Sequence, residues 1–421
     1  MMLGCIADDF SGATDLASAL SGVGLPVSLV TRLDGAHLKT ADEGQGARAV
    51  VVALKSRAVP ARRAIEMSLE ALGWLRSAGA STYYFKYCST FDSTAEGNIG
   101  PVLDALSDEL CAATTIVCPA NPTQGRTVYR GHLFVGDTLL SDSPLADHPL
   151  NPMRESSLLK LFGPQTRRRL VLVGEDVVRR GPRAIAAALS EAARDERAYG
   201  VLDAIDDADL LAIAEAGREM VLLSGSAGLG AAFGSLLART DPVVNPTPPP
   251  PRPPGATVVL AGSSSLATRT QLERVEDRVP VLRLDPLALD EGEASTEEAL
   301  NWAIANLSGP GLVVAASATP QRVREVQSTL GAQRAGAIVE SALGSIAKGL
   351  HAAGARCFVA AGGETSAAVV EALSIDTLDL AGDIEPGVPW MHTDTDPKVF
   401  VALKSGNFGT DAFFEKALGL G

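Results

Sequence analysis

Ile6-Ala-Asp-Asp-Phe-Ser-Gly-Ala-Thr-Asp-Leu-Ala17 is the stretch from which the rest of this 421-residue chain is read. Before it, Met2 to Ala7 is apolar without interruption, which predicts a fully buried strand. Asp8 and Asp9 follow at once. Ser11 then occupies the position of a helix N-cap, and Ala13, Leu16, Ala17 and Leu20 recur at helical spacing. The pattern is strand, acidic turn, helix. In open α/β sheets, ligands bind outside the carboxyl ends of the strands. Either aspartate alone could cap the helix that follows, where negative charge suits the helix dipole. The pair, together with Ser11, Gly12 and Asp15, points instead to a polar ligand or a metal ion.

The rest of the chain alternates apolar strand-like runs with helical periodicity. Pro26–Thr31, Arg48–Leu54, Thr82–Tyr87, Thr115–Pro119, Leu170–Val173 and Gly200–Leu202 read as strands, with helices over Ala61–Ala78 and Ile99–Leu110. That alternation predicts parallel sheets covered by helices. Ala120–Met153 interrupts it with turn residues and a small hairpin. Asp241–Gly255 carries Pro246-Thr-Pro-Pro-Pro-Pro-Arg-Pro-Pro254, which suits neither helix nor central strand and reads as a stiff spacer. A recognition tail for another protein is the alternative. The expected organisation is therefore two α/β domains with mostly parallel sheets. Residues 1–240 and 256–421 flank a proline-rich linker at 241–255, with the active site in the cleft between the domains.

Bulk properties narrow the function classes. The length exceeds the ~250–300 residues at which one core usually splits. A formal charge of −14 argues against nucleic-acid or acidic-membrane binding, but not against an anionic small substrate met by local cations. Five scattered cysteines and five scattered histidines form neither a disulfide framework nor a zinc site. No secretory or membrane-spanning pattern is visible, so the expectation is a reduced, cytoplasmic protein.

Three loops of the second half share one character. Gly262-Ser-Ser-Ser265, Gly362-Gly-Glu-Thr-Ser366 and Lys404-Ser-Gly-Asn-Phe-Gly409 each follow a predicted strand. Glycine admits close backbone approach, and free N–H groups at a helix start bind anions. Any one loop could be an ordinary tight turn. Together they suggest a nucleotide site at Ser263, Ser265, Gly362, Gly363, Glu364, Thr365, Gly406 and Asn407, without a P-loop pattern. The first half offers Lys86-Tyr-Cys-Ser-Thr-Phe-Asp-Ser-Thr94, Arg57 past the third strand, and Arg126 and Arg130 in the irregular insert. Arginine suits a carboxylate because its planar fork meets both oxygens. Ser224-Gly-Ser-Ala-Gly-Leu-Gly230 is another glycine-rich turn, read as serving close packing.

On these residues the chain resembles the four-carbon acid sugar kinase family, and more narrowly its 3-oxo-tetronate branch. The opening motif is Ile6–Asp15, with Ser11 where threonine is more usual. The narrower likeness rests on Lys86–Thr94, Gly97-Asn-Ile-Gly-Pro101, Cys118-Pro-Ala-Asn121, Gly125–Gly136 and His148-Pro-Leu-Asn-Pro-Met153. It continues through Gly262–Ser265, Gly362–Thr365, Glu385-Pro-Gly-Val-Pro-Trp390 and Leu403–Gly409. Ser264 stands where members of the family often have cysteine.

The resemblance implies an N-terminal sugar-acid domain and a C-terminal ATP domain. It further implies transfer of the γ-phosphoryl group to O4 of 3-oxo-tetronate (3-dehydro-erythronate). On that basis Asp9 or Asp8 would accept or orient the O4 proton. Ser11, Arg57, Lys86, Ser89, Thr90 and Arg126 would hold the acid, and the second-half loops ATP. Mg²⁺ would come with ATP, with no all-protein metal cage. The other readings are a D-threonate or D-erythronate 4-kinase and, in another class, a non-catalytic nucleotide and sugar-acid sensor. A homodimer is left open.

Overall fold

The computed structural model describes residues 2–36, 38, 47–147, 152–194, 196–240, 249–292 and 294–420. Residues 241–248 of the proline-rich stretch and 148–151 of the His148–Met153 motif lie outside the described residues. The chain divides into two compact units, Met1–Leu33 with Leu38–Pro246, and Asp34–His37 with Thr247–Gly421.

The first unit contains β1 (Leu3–Ala7), β2 (Val27–Val30), β3 (Ala49–Ala53), β4 (Thr82–Lys86), β5 (Thr114–Cys118), β6 (Arg126–Tyr129), β7 (His132–Val135), β8 (Thr138–Leu139), β9 (Arg169–Val173), β10 (Ala198–Leu202) and β11 (Leu222–Gly225). Its main strands run in the order β2-β3-β1-β4-β11-β5-β10-β9, all parallel. β1, β3 and β4 are buried at every residue. This is why they read as unbroken apolar runs, with both faces covered by helices. Each Val, Leu or Phe so buried contributes roughly 1.5–3 kcal/mol of transfer free energy. β1 has β3 on one side and β4 on the other. Chain connections therefore leave in opposite directions around β1, which makes its carboxyl end a topological switch point where a crevice opens.

β6, β7 and β8 form a separate antiparallel ribbon. It is moored to the end of β10 by the buried carboxylate of Asp203, which accepts the N–H groups of Arg130 at 2.6 Å and Gly131 at 2.8 Å. That mooring places Arg126 at the base of the ribbon.

The second unit contains β12 (Thr257–Ala261), β13 (Val281–Arg283), β14 (Gly311–Ala315), β15 (Cys357–Ala361), β16 (Thr377–Glu385), β17 (Val388–His392) and β18 (Phe400–Lys404). Strands β13-β14-β12-β15-β18 are parallel, and β17 and β16 then continue the sheet antiparallel. Val259, Val313, Val359, Phe400, Phe413 and Phe414 meet in its core. β12 lies between β14 and β15, so this unit too has a switch point, at the end of β12. Residues 249–255 form neither helix nor strand, and the Arg252 guanidinium lies over the Trp390 ring at 4.7 Å.

The glycine-rich turn after β11 is a packing device. A Cβ at Gly225 would come within 2.3 Å of Cys118 O, and one at Gly230 within 2.3 Å of a Leu16 methyl.

Candidate functional site

Asp8 and Asp9 stand at the carboxyl end of β1, where the switch point opens. The Asp8 backbone is held from both neighbouring strands. Its N–H donates to Lys86 O at 3.1 Å, and its carbonyl accepts from Ser56 N at 3.0 Å and Arg57 N at 3.1 Å. The helix Phe10–Gly22 begins two residues after Asp8, with Asp9 as its N-cap, accepting from Gly12 N at 2.8 Å. The sequence expectation of Ser11 as N-cap is corrected by this. Phe10 is already helical, because the Asp9 carboxylate accepts the Gly12 N–H and so starts the helix two residues earlier than a cap at position 11 would. Ser11 instead sits inside the first turn, buried, and its hydroxyl has no hydrogen-bond partner among the described residues. Gly12 has no room for a side chain. A Cβ there would lie 2.4 Å from Asp9 Oδ1 and 3.1 Å from Lys86 Nζ.

Arg57 joins the two aspartates. Its Nε and Nη2 donate to Asp8 at 3.0 and 2.6 Å, and its Nη1 and Nη2 to Asp9 at 2.9 and 2.8 Å. The guanidinium fork, expected to face a substrate carboxylate, is thus occupied by the protein's own carboxylates. Asn98 fixes the segment that carries it, its Nδ2 donating to Ser56 O at 2.7 Å and Val59 O at 3.0 Å. Burial pushes the Asp8 carboxyl above the usual range, and the Arg57 charge works against that rise. The Asp8 side chain is 3% exposed and the Asp9 side chain 22%. Asp9 is therefore the member of the pair that an entering molecule can reach.

Lys86, at the end of β4, is buried and donates to Tyr87 O at 2.9 Å. Its charge favours ionisation of Asp8 and Asp15. Ser89 and Thr90 lie in the turn after Lys86, where Thr90 Oγ1 and Cys88 Sγ are 2.9 Å apart. Phe91 closes this turn in the left-handed region at φ 49°, its ring packed edge-on against Tyr87 and Phe162. Strain of that kind costs about 1–3 kcal/mol and persists only where burial holds it. Arg126 reaches the cluster through Gln124. Its Nη1 donates to Gln124 O, while Gln124 Nε2 donates to Asp15 Oδ1 at 3.2 Å. Arg126 Nε is buried with no partner among the described residues. Burial raises the Asp15 carboxyl, opposed by Lys86 and Gln124.

The structure brings Asp8, Asp9 and Arg57 into direct contact and sets Lys86 beside Gly12. Ser11 and Arg126 each keep a buried polar atom unmatched. Gln124 and Asn98 were missed as site residues; Asn98 lies inside the quoted Gly97–Pro101 motif, and Gln124 falls between the quoted Cys118–Asn121 and Gly125–Gly136 motifs.

In the second unit the three glycine loops converge at the ends of the adjacent strands β12, β15 and β18. Gly262 N and Ser263 N both donate to Ala361 O at 3.1 Å, and Gly362 N to Lys404 O at 2.8 Å. A Cβ at Gly262 would approach Thr365 Oγ1 to 2.3 Å, and one at Gly406 would approach Ser263 Oγ to 2.2 Å. Gly362 adopts φ 126°, open only to glycine, and leads into the helix Gly363–Ala372 without a side-chain cap. The first N–H groups of that helix, at Gly363, Glu364 and Thr365, are the anion-binding ends that helices present. Ser265 caps the helix Leu266–Glu273, accepting from Thr268 N at 3.2 Å. Ser264 accepts from Ala318 N at 3.1 Å, a role in which its hydroxyl ties β12 to the segment after β14. Asn407 is exposed at the tip of the third loop. Glu385 braces that loop from β16, accepting from Thr410 N and Oγ1 and from Lys416 Nζ, each at 2.6 Å. Among the described residues no group of three or more His, Cys, Asp or Glu is placed to hold a metal ion.

Comparison with known proteins finds two family matches in the chain. Residues 3–233 match the family described as sugar-binding N-terminal domain, and residues 258–414 the family described as nucleotide-binding C-terminal domain. The chain belongs to the four-carbon acid sugar kinase family. A 3-oxo-tetronate kinase of Burkholderia multivorans is 44% identical over 427 residues, covering 99% of this chain and 96% of its own length. One from Haemophilus influenzae is 40% identical over 420 residues, covering all of both chains. Among solved structures, a Haemophilus influenzae protein superposes with a TM-score of 0.78 at 40% identity, covering 99% of each chain. A Salmonella typhimurium protein described as a putative tRNA synthase superposes at 0.85, with 38% identity over 99% of this chain and 98% of its own. Both candidate clusters fall inside the matched regions of this kinase family. No described helix is long and apolar enough to cross a membrane.

Proposed function

We propose that this chain is an ATP-dependent kinase that phosphorylates O4 of 3-oxo-tetronate to give 3-oxo-tetronate 4-phosphate. The observation that carries the reading is likeness at 43–45% identity, across 99% of the chain, to proteins named 3-oxo-tetronate kinase. The geometry supports it from both units.

Phosphoryl transfer asks for in-line placement, charge neutralisation and a group that orients the attacking hydroxyl. In this reading Asp9 takes that orienting role. One of its oxygens already serves the helix cap and Arg57, whereas Oδ2 accepts a single hydrogen bond from Arg57 and has room for another. Asp8 is the deeper partner, and Arg57 neutralises the pair. Lys86 and the unmatched Ser11 hydroxyl and Arg126 Nε would hold the sugar acid's carboxylate and hydroxyls, with Ser89 and Thr90 beside them. Arg57 enters as a positioning residue for the aspartates. The loops at Ser263, Ser265, Gly362–Thr365, Gly406 and Asn407 would hold the ATP phosphates. Mg²⁺ would come with ATP and neutralise phosphate charge, held by the phosphates themselves. Domain limits at 1–240 and 256–421, with sugar acid bound by the first and nucleotide by the second, belong to the same proposal. So does a cytoplasmic setting, which suits five free cysteines.

The test is an ADP-release assay over 3-oxo-tetronate, D-threonate and D-erythronate. The expected result is a kcat/KM for the oxo acid well above the other two. Preference for threonate or erythronate would reassign the substrate, and ligand binding without ADP release would make the chain a sensor.

A further inference from the structure

Three donors converge on one carbonyl beneath the third glycine loop. Gly406 O receives Ser265 Oγ at 2.6 Å, Thr268 Oγ1 at 2.9 Å and Lys404 Nζ at 2.9 Å. Lys404 ends β18 fully buried, and it also donates to Ser405 O at 2.9 Å and Thr268 Oγ1 at 3.2 Å. Its three N–H groups therefore meet three acceptors. A trans peptide is planar, with its N–H directed opposite to its C=O. Drawing Gly406 O down into this cluster turns the Asn407 N–H the other way, to the exposed side of the loop.

We infer that Lys404 is a positioning residue for nucleotide phosphate: it locks the Gly406–Asn407 peptide so that the Asn407 N–H faces outward to meet a phosphate oxygen. The inference rests on the reading of these loops as a nucleotide site. A buried charge that serves only loop stability would not couple to ligand. This one has a reason to couple, because a polyanion bound above the loop favours the ammonium over the neutral amine.

Burial drives the Lys404 ammonium down to about 7, opposed by the Glu385 carboxylate. The helix Leu266–Glu273 faces it with the Thr268 hydroxyl, and the C-terminal helix with the rings of Phe413 and Phe414. On that C-terminal helix Glu415 is paired with Arg274 and Arg278, and Lys416 with Glu385. A neutral amine has two N–H groups for the three acceptors, so deprotonation frees one of them and loosens the peptide. Nucleotide affinity should be full below pH 7 and should fall as pH rises beyond it.

Equilibrium binding of a non-hydrolysable ATP analogue between pH 6.5 and 9, on the full chain, tests this. Lys404→Met should weaken binding about tenfold at pH 6.5 while changing kcat at saturating ATP by less than about threefold. The wild type should lose affinity between pH 7 and 9 more steeply than Lys404→Met, whose profile contains only the analogue's own titration. If Lys404→Met does not fold, Thr268→Val carries the test. It removes one donor and should weaken binding about threefold. A folded variant with wild-type affinity and wild-type pH profile overturns the inference alone. A wild type that binds no nucleotide overturns the nucleotide reading and this inference with it.

Discussion

Arg57 shows how a single side chain changes role between sequence and structure. Its position past the third strand made it a carboxylate-binding candidate, and it does bind carboxylates, those of Asp8 and Asp9. Nothing in local sequence signals that, because the partners are 48 and 49 positions away. Two predictions belong to this scale. Asp9→Asn should lower kcat by about 10²–10⁴-fold while leaving nucleotide affinity nearly unchanged. Equal loss of both would reject the proton-accepting role. Arg57→Gln removes the charge that holds the Asp8 carboxyl down against burial, so Asp8 should titrate higher still. The acid limb of the kcat/KM profile should then move to higher pH than in the wild type. An unmoved limb would show that this pair does not govern the rate.

At the scale of elements, strands and loops were legible because their signals are local. The runs Thr82–Tyr87 and Thr115–Pro119, read as strands, form them over Thr82–Lys86 and Thr114–Cys118. The hairpin in the irregular insert forms as well, with an added third strand. Glycine function was less legible. Gly225 and Gly406 look alike in sequence, each next to a serine after a strand, but they answer to different neighbours. A Cβ at Gly225 meets the backbone oxygen of Cys118 and the Tyr84 hydroxyl, and neither can yield. Gly225→Ala should therefore destabilise the fold by about 2 kcal/mol or more in denaturant unfolding. A Cβ at Gly406 meets the Ser263 hydroxyl, which can rotate only by disturbing the loop contact. Gly406→Ala should leave the unfolding midpoint close to wild type and weaken nucleotide binding about tenfold or more, read by calorimetry. Loss of stability without loss of affinity would move Gly406 into the packing class.

At the scale of the whole molecule, the formal charge of −14 acts on anionic ligands. The first cluster sets Asp8, Asp9 and Asp15 against Arg57, Lys86 and Arg126, so it adds little positive field of its own. Raising ionic strength from 0.01 to 0.15 M shortens the screening length from ~30 to ~8 Å. The kcat/KM for the sugar acid should then rise a few-fold; a steep fall would show a dominant attractive field instead. The amino-acid sequence by itself determined the two α/β halves, the strand-end location of the polar loops and the family. Each of these is written in short-range periodicity, glycine placement or contiguous motifs. Tertiary structure alone decided which charges neutralise one another and that Lys404 is buried under Gly406. Those outcomes depend on strand order, which places Arg57 beside Asp8 and Lys404 beside a threonine 136 positions earlier. Burial then sets what each charge costs, and that cost has no counterpart in a local pattern of residues.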